Sequence, residues 1–345
     1  MPSETAGSAA TRRPTIQDVA AAAGVSKGLV SKVFNGGAGP SAATTSRVIA
    51  VADRLGYRPN RSATLLAKRR TRLLGVTMLP SNLFHGELAD LIQPIAEKHG
   101  YDIVLGSMTG YSHERRAIET LIDFRCEALV LVGPTMPAAQ LAAIIGNVPA
   151  VVVGRKVDLP GADVVRCDDE RGVHDVIDHL VALGHRRIAH LDGGSGAIAA
   201  LRRRAYRAAM TRHRLEPVVL PGGMTEEDGA RAVTDLLGHS AGVDVTAVAT
   251  YNDRCAVGVL DALARRGIDV PGEISVAGFD DSLQARHALI ELTTVDQSSA
   301  EQARLAIQAV MERLDGTRAE RREIVLPPAL IVRRTTARVG RRRGE

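Results

Sequence analysis

The residues able to do chemistry are few, and their spacing limits what that chemistry can be. Lys27, Ser31 and Lys32 lie on one short stretch and would share the outer face of a helix, offering donors to an anionic surface. Gly194-Ser-Gly196-Ala-Ile-Ala199 fits G-x-G-x-x-A, the loop that cradles a dinucleotide pyrophosphate. That match is thin: Glu216, at roughly the right distance, precedes Pro217 instead of ending a clear strand. No Lys follows the glycines, as a phosphate-binding loop requires. His, Asp and Glu are scattered without metal-ligand spacing, and no Ser-His-Asp arrangement can be fixed. The residues therefore point to no cofactor and no metal, and a dinucleotide-binding enzyme using the Gly194–Ala199 loop stands as the rival reading. Cys126, Cys167 and Cys255 are far apart and odd in number, which fits reduced thiols.

The elements that would position Lys27, Ser31 and Lys32 can be read from Thr15 onward. Thr15 with Asp18 three residues on is a helix start, a hydroxyl cap with an acid in the first turn. Val19, Ala20 and Ala23 share one face of that helix, and Gly24 ends it. Ser26 caps a second helix over 27–34, whose Val30, Val33 and Phe34 return to the same small core. Asn35-Gly36-Gly37 ends it, because these residues tolerate the left-handed conformation. Ser41 caps a third helix, expected to bury Val48, Ala52 and Leu55 and to stop at Gly56. Two short helices joined by a tight turn and braced by a third make a helix-turn-helix.

After Tyr57-Arg58-Pro59, Asn60 can cap a helix of about eight residues, too short to be stable alone. The whole stretch closely resembles the headpiece of the lac and galactose repressor family. The match is carried by Thr15-Ile16-x-Asp18-Val19-Ala20, Ala23-Gly24-Val25-Ser26, Val30-Ser31, Asn35 and Gly56-Tyr57-x-Pro59-Asn60. The resemblance implies that the 60–71 segment is a hinge helix lying in the minor groove, with Leu66 as an apolar wedge that unstacks a base step; otherwise Leu66 is an ordinary linker leucine. It further implies DNA contacts by Thr15, Ser26, Lys27, Gly28, Ser31, Lys32, Asn35, Asn60, Ala63 and Leu66. Many relatives carry Arg at Lys32, so bidentate reading of guanine is weakened here. Gly28 costs about 1 kcal/mol inside a helix, yet lets the backbone approach the groove.

The charge is unevenly spread. Residues 1–70 hold eleven Lys and Arg against three Asp and Glu, a balance of +8, while the remainder holds 33 basic and 36 acidic residues. A basic headpiece on a mildly acidic body suits a duplex-binding module attached to something else. At 345 residues and 45% hydrophobic content the chain has enough apolar surface for two or three folded units. No apolar run approaches the roughly 20 residues that span a bilayer. The opening residues lack an apolar signal core, so a cytoplasmic location without membrane contact is expected.

From Arg72 the pattern alternates strands and helices. Leu73–Leu79 reads as a buried strand, and a helix over about 85–98 carries Leu88, Leu91, Ile92 and Ile95. Strands follow at about 102–106, 128–132 and 150–153, then near 187–191, 246–250, 274–278, 323–326 and 329–333, with helices between. Short Val/Ile/Leu runs separated by helices mean parallel sheets covered on both faces. The fold class is α/β: an all-α helix-turn-helix headpiece plus two similar doubly wound parallel-sheet lobes. Ligands in such folds bind at the C-terminal strand ends, here in a cleft between lobes.

The family resemblance extends through this body. Asp168-Asp169-x-x-Gly172, Leu183-Gly184-His185-x-x-Ile188, Asn252-Asp253, Ser275-Val276-x-Gly278-Phe279-Asp280-Asp281 and Leu292-Thr293-Thr294-Val295 resemble its later signatures. It implies a periplasmic-binding-protein-like body in which the chain crosses between lobes three times. Ser81-Asn82-Leu83-Phe84-His85 resembles the family's Ser-Asn-Pro-Phe-Phe, with Leu83 and His85 as departures. Arg202 falls where relatives place an effector-binding arginine, and Asn252 and Asp280 at strand ends that contact effector. Asn82, Phe84, His85, Arg202, Asn252 and Asp280 are the implied effector residues. A guanidinium, an amide and a carboxylate suit a ligand dense in hydroxyls. Gly154 stands where many relatives carry Asp. Aromatics are 3% of residues and Trp is absent, so stacking on a sugar would fall to Phe84, Tyr111, Tyr206, Tyr251 or Phe279.

The expected organisation is a tail over 1–13, the helix-turn-helix over 14–59, hinge and linker over 60–71, an effector-binding and dimerisation body over 72–338 and a basic tail over 339–345. Within the body, lobe 1 takes about 72–167 and 298–326, lobe 2 about 168–297 and 327–338. The expected function is a ligand-responsive, sequence-specific transcription regulator. It would be a homodimeric repressor released from a palindromic operator in double-stranded DNA by a small-molecule inducer, a sugar or related metabolite; a corepressor-dependent regulator of purine-repressor type has the opposite sign.

Overall fold

Each helix of the N-terminal unit begins on a residue suited to capping it, and the first and third end on left-handed glycines. The structure, a computed structural model, describes residues 14–34, 39–58, 70–109, 111–238 and 245–339. The chain separates into two compact units, one through Thr71 and one from Arg72. In the first, α1 (Ile16–Ala23) opens on a reciprocal capping box. Thr15 Oγ1 accepts from Asp18 N at 3.4 Å, and Asp18 Oδ2 accepts from Thr15 N at 2.7 Å. Gly24, at φ 64°, closes it in the left-handed region. Ser26 Oγ accepts from Leu29 N at 3.2 Å at the head of α2 (Lys27–Phe34), and Ser41 caps α3 (Ala42–Leu55), which ends at left-handed Gly56.

The core of this unit is Val19, Ala20, Ala23, Val30, Val48, Val51 and Ala52, with Val33, Phe34 and Tyr57 packed at its edge. One expectation fails. Leu55 is 37% exposed and Val51 fills the core instead. Leu55 is on the correct face, but it is the last residue of a 14-residue helix whose partners are only 8 residues long. The final turn of α3 outruns its cover.

The second unit is built on two parallel sheets. The first lobe comprises β1 (Leu73–Met78), α4 (Leu83–Lys98), β2 (Asp102–Ser107), α5 (Tyr111–Asp123), β3 (Ala128–Val132), α6 (Ala138–Ile145), β4 (Ala150–Val153) and β5 (Ala162–Cys167). The second holds α7 (Asp169–Ala182), β6 (Ile188–Asp192), α8 (Ala197–Arg212), β7 (Val218–Pro221), α9 (Glu226–Gly238), β8 (Ala247–Thr250), α10 (Asp253–Ala264) and β9 (Ser275–Ala277). Then come β10 (Thr294–Asp296), α11 (Ser299–Leu314), β11 (Glu323–Leu326) and β12 (Ala329–Ile331). The first sheet runs β11-β5-β4-β3-β1-β2 and the second β7-β6-β8-β9, while β10 and β12 form a separate antiparallel pair. The chain therefore passes between the sheets after β5, again after β10 and a third time after β11.

Both faces of each sheet are covered. On one face of the first, Leu88 and Ile92 of α4 meet Ala303, Ile307 and Val310 of α11; on the other, Ile118, Leu121 and Leu141 pack over Leu129 and Val152. The apolar stripe of α4 is thus used within its own lobe. The two sheets are less alike than expected, with six strands against four. β5, β7 and β10 were not foreseen. β5 contains Asp163, 1% exposed, whose carboxylate is clamped by Arg313 at 2.8 Å and by Arg318, partners that lie 150 or more residues further along. Those partners hold its carboxyl down at about 2 even though burial alone would raise it.

Candidate functional site

Two surfaces collect the singled-out residues, one in each unit. In the first unit, Ser26, Lys27, Gly28 and Lys32 are exposed on or beside α2, and Thr15 and Ser31 are half-buried. A Cβ at Gly28 would meet only Ser26 Oγ, at 3.9 Å, so packing within the unit does not demand glycine there. Asn35, Asn60, Ala63 and Leu66 lie outside the described residues.

In the second unit a cavity of about 360 Å³ opens at the C-terminal edges of the two sheets, and Asn82, Phe84, His85, Arg202, Asn252 and Asp280 all line it. Two of these owe their position to helix capping. Asn82 Oδ1 accepts from Phe84 N at 3.1 Å and opens α4; Asn252 Oδ1 accepts from Cys255 N at 2.9 Å and opens α10. Each amide thereby has its oxygen committed. Asn252 Nδ2 also donates to Met224 O at 3.2 Å.

Arg202 is held from several sides. Its Nε and Nη2 donate to Asp169 Oδ1 at 2.9 and 2.7 Å, and its Nη1 donates to Tyr251 O at 2.6 Å and lies 3.8 Å from Asp280 Oδ1. The guanidinium sits 3.6 Å over the Phe279 ring and 5.0 Å from that of Tyr251. Asp280 has φ 124°, a left-handed backbone rare for a residue with a side chain, and accepts from Gln297 Nε2 at 2.7 Å. Burial raises its pKa well above the usual carboxylate range; Arg202 opposes that shift and Asp253 adds to it. Asp253, fully buried, is pushed up to about 7 by desolvation against the bonds it accepts from Thr294 and Ser282.

His85 is 7% exposed, and its Nδ1 accepts from Leu79 N at 3.1 Å. Nε2 therefore carries the hydrogen of the neutral ring, and burial lowers the pKa to about 4. Neighbouring Gly133, at φ 53°, has no room for a Cβ, which would come within 2.8 Å of Nε2. The arrangement offers ring N–H, amide and guanidinium donors around one carboxylate.

Several lining residues escaped the sequence reading, Gln297, Thr135, Arg155 and Met224, and Ser195 entered it only within the rival Gly194–Ala199 loop. Gln297 follows β10, a strand too short to announce itself. Asp169 was noted only as part of a motif, and its pairing with Arg202 links positions that no local pattern connects. Of the aromatic candidates, Phe84 and Tyr251 line the cavity, Phe279 lies beneath Arg202, and Tyr206 is wholly buried against His190.

The Gly194–Ala199 loop does join a strand to a helix, β6 to α8. However, β7, the strand that would have to end in an acidic residue, ends at Pro221 before Gly222-Gly223. Gly193 is demanded by the Tyr251 ring, 2.3 Å from where a Cβ would stand. Gly193, just ahead of the loop, thus serves packing, and Gly194, at φ 91°, serves a turn. Among the described residues no cluster of His, Cys, Asp or Glu could hold a metal, and no helix is long and apolar enough to cross a membrane. All three cysteines are buried and free, their thiols pushed up to about 12 mainly by burial.

A helix-turn-helix unit followed by two parallel-sheet lobes around a polar cavity defines a class: ligand-responsive DNA-binding regulators. Residues 15–60 match the family "Bacterial regulatory proteins, lacI family", and residues 177–336 match "Periplasmic binding protein-like domain". The HTH-type transcriptional regulator GalR of Escherichia coli (strain K12) is 34% identical over 94% of this chain and 96% of its own. A lac repressor dimer bound to operator and the anti-inducer ONPF superposes with TM-score 0.77 at 28% identity, covering 94% of this chain and 100% of that one. A complex of transcriptional regulator CelR with cellobiose does so with TM-score 0.69 at 27% identity, over 94% and 100%. The chain belongs to the lacI family of bacterial regulatory proteins.

Proposed function

We propose that this regulator is a cytoplasmic repressor that binds a near-palindromic operator as a homodimer and leaves it when a small polyhydroxylated effector, a sugar or related metabolite, enters the cleft. The observation that carries the reading is the convergence of six strand-end and helix residues on one cavity in a chain that also bears a capped helix-turn-helix. Lys27 and Lys32 reach base edges or phosphates, Thr15, Ser26, Ser31 and Asn35 fix the backbone, and Gly28 allows close approach. Asn60, Ala63 and Leu66 act in the minor groove, Leu66 as the wedge. Support for a sugar comes from the hydroxyl-matching set Asn82, Arg202, Asn252 and Asp280 and from the cellobiose held by the related CelR. The cleft is assigned to binding and not to turnover, and the chain needs no cofactor.

Arginines already bridge the two lobes. Arg254 on α10 donates to Ser81 O across the cleft mouth, and Arg286 Nη2 pairs with Glu87 Oε1 of α4 at 3.1 Å. An effector that draws the lobes into a different separation changes the spacing of the segments leading to the headpieces, with coupling of about 1–3 kcal/mol. Fluorescence anisotropy on a labelled fragment of the gene's own promoter tests this against a panel of sugars and purines. Release by a sugar, with loss of that response in Asp280→Ala but intact operator binding, is expected. A compound that tightens operator binding instead reverses the sign, and binding no stronger than to random DNA removes the proposal.

A further inference from the structure

The cavity wall contains two arginines, and only one of them is matched. Arg202 has Asp169, Asp280, a carbonyl and two aromatic rings around it. Arg155, just beyond Gly154 at the C-terminal end of β4, is half-buried. It has no hydrogen-bond or ion-pair partner among the described residues, and its Nε is buried and unsatisfied. Burial lowers its pKa, and Glu114 is the carboxylate that opposes this. Glu114 is itself 2% exposed and already accepts from Thr135 N at 3.0 Å, from Met136 N at 3.1 Å and from the Thr135 hydroxyl. It serves the loop that follows β3. An arginine whose Nε is withdrawn from water and left without a partner is costly to the free protein.

The rest of the wall shares this bias. His85 presents a neutral ring whose hydrogen is on Nε2, and the amide nitrogen of Asn82 is not used in capping. Gly196 caps α8 without any side chain, so the first N–H groups of that 16-residue helix, at Ala197 and Ile198, meet the cavity unclaimed. Asp280 is the one carboxylate among the described lining residues, and Arg202 and Gln297 already attend it.

We infer that the effector is an anion: a polyhydroxylated molecule whose carboxylate or phosphate pairs with Arg155 while its hydroxyls face Asp280 and Arg202. This rests on the cleft being the effector site and narrows the class of ligand it takes. The planar fork of arginine matches both carboxylate and phosphate, and the uncapped helix end favours the same charge.

The test is isothermal titration of the full chain with D-galactose, D-galacturonate and D-galactose 6-phosphate, and with the corresponding D-glucose set, at fixed ionic strength in a buffer without phosphate. One acidic member should bind at least about tenfold tighter than its neutral parent, and whether it is the uronate or the phosphate identifies the anion. Arg155→Met, which keeps the aliphatic stem and removes the charge, should bring that ratio close to one. The ligand-free variant should melt no lower than the natural protein, because Arg155 has no partner to lose. Neutral parents that bind as tightly as the acids, a preference that survives in Arg155→Met, or a lower melting point for the free variant would each overturn the inference while leaving the cleft as effector site. If no compound in either set binds, the inference and the effector reading fall together.

Discussion

Arg202 shows how one side chain can be both wall and strut. Its charge lies between Asp169 and Asp280, and its side chain is 5% exposed. Arg202→Met would leave two buried carboxylates facing each other, and urea denaturation at pH 7 should show a loss of about 3–5 kcal/mol. The deficit should shrink as the pH falls. Asp280 has a folded pKa above its unfolded one, so protonation favours the folded state and relieves the repulsion that Arg202 had balanced. A deficit that is constant with pH would mean the loss is one of packing. At this scale the sequence was informative where a residue follows a strand, as with Asn252 and Asp280, or matches a spaced motif, as with Arg202. It passed over Arg155, although that residue follows the readable strand β4 and Gly154, and it was silent on Gln297, because β10 before it is only three residues long.

Among the elements, those readable from sequence were the ones with an uninterrupted pattern. β3 and β4 are buried along their whole length and announced themselves as apolar runs. β5 did not, because Asp163 and Arg166 break its pattern and are made tolerable only by distant partners. Helix contacts were equally hidden. Gly229 in α9 and Gly258 in α10 bring the two backbones together: a Cβ at Gly258 would stand 1.8 Å from Glu226 O, and one at Gly229 2.1 Å from Cys255 O. Gly258→Ala would ordinarily gain about 1 kcal/mol in a helix. Here it should instead destabilise by about 1–3 kcal/mol, since backbone must move to admit the methyl group. Thermal denaturation checks this, and a rise in melting temperature would show that the helices are freer to separate than their contact implies. The same variant should weaken the effector response, because α9 and α10 carry the Glu226–Arg254 pair that reaches Ser81.

For the molecule as a whole, the arginine bridges between lobes set how readily the cleft opens. Glu87→Arg should turn the contact with Arg286 from attraction to repulsion. Adding Arg286→Glu should restore the pairing across the cleft, though the second change also affects Asp281, which Arg286 meets at 3.0 Å. The pair is 43% and 23% exposed, so the effect is about 0.5–1 kcal/mol, a few-fold in effector affinity by titration, and should fade in high salt. Equal affinity in all three proteins would show that the bridge is incidental. The two-lobed plan itself was legible from the alternation of strands and helices, but the difference between a six-stranded and a four-stranded lobe was not, because β5 of the first sheet is broken by Asp163 and Arg166 and β7 of the second is only four residues long.

The return of α11 and β11 to the first sheet bears on how the molecule is made. On the ribosome the four strands of the second sheet, all within residues 188–277, are available to pair before the first sheet can gain its outer strand. Until residues through Leu314 have emerged, Leu88 and Ile92 lack the helix that covers them, so the nascent first lobe waits, greasy side open, for a sequence made after its neighbour.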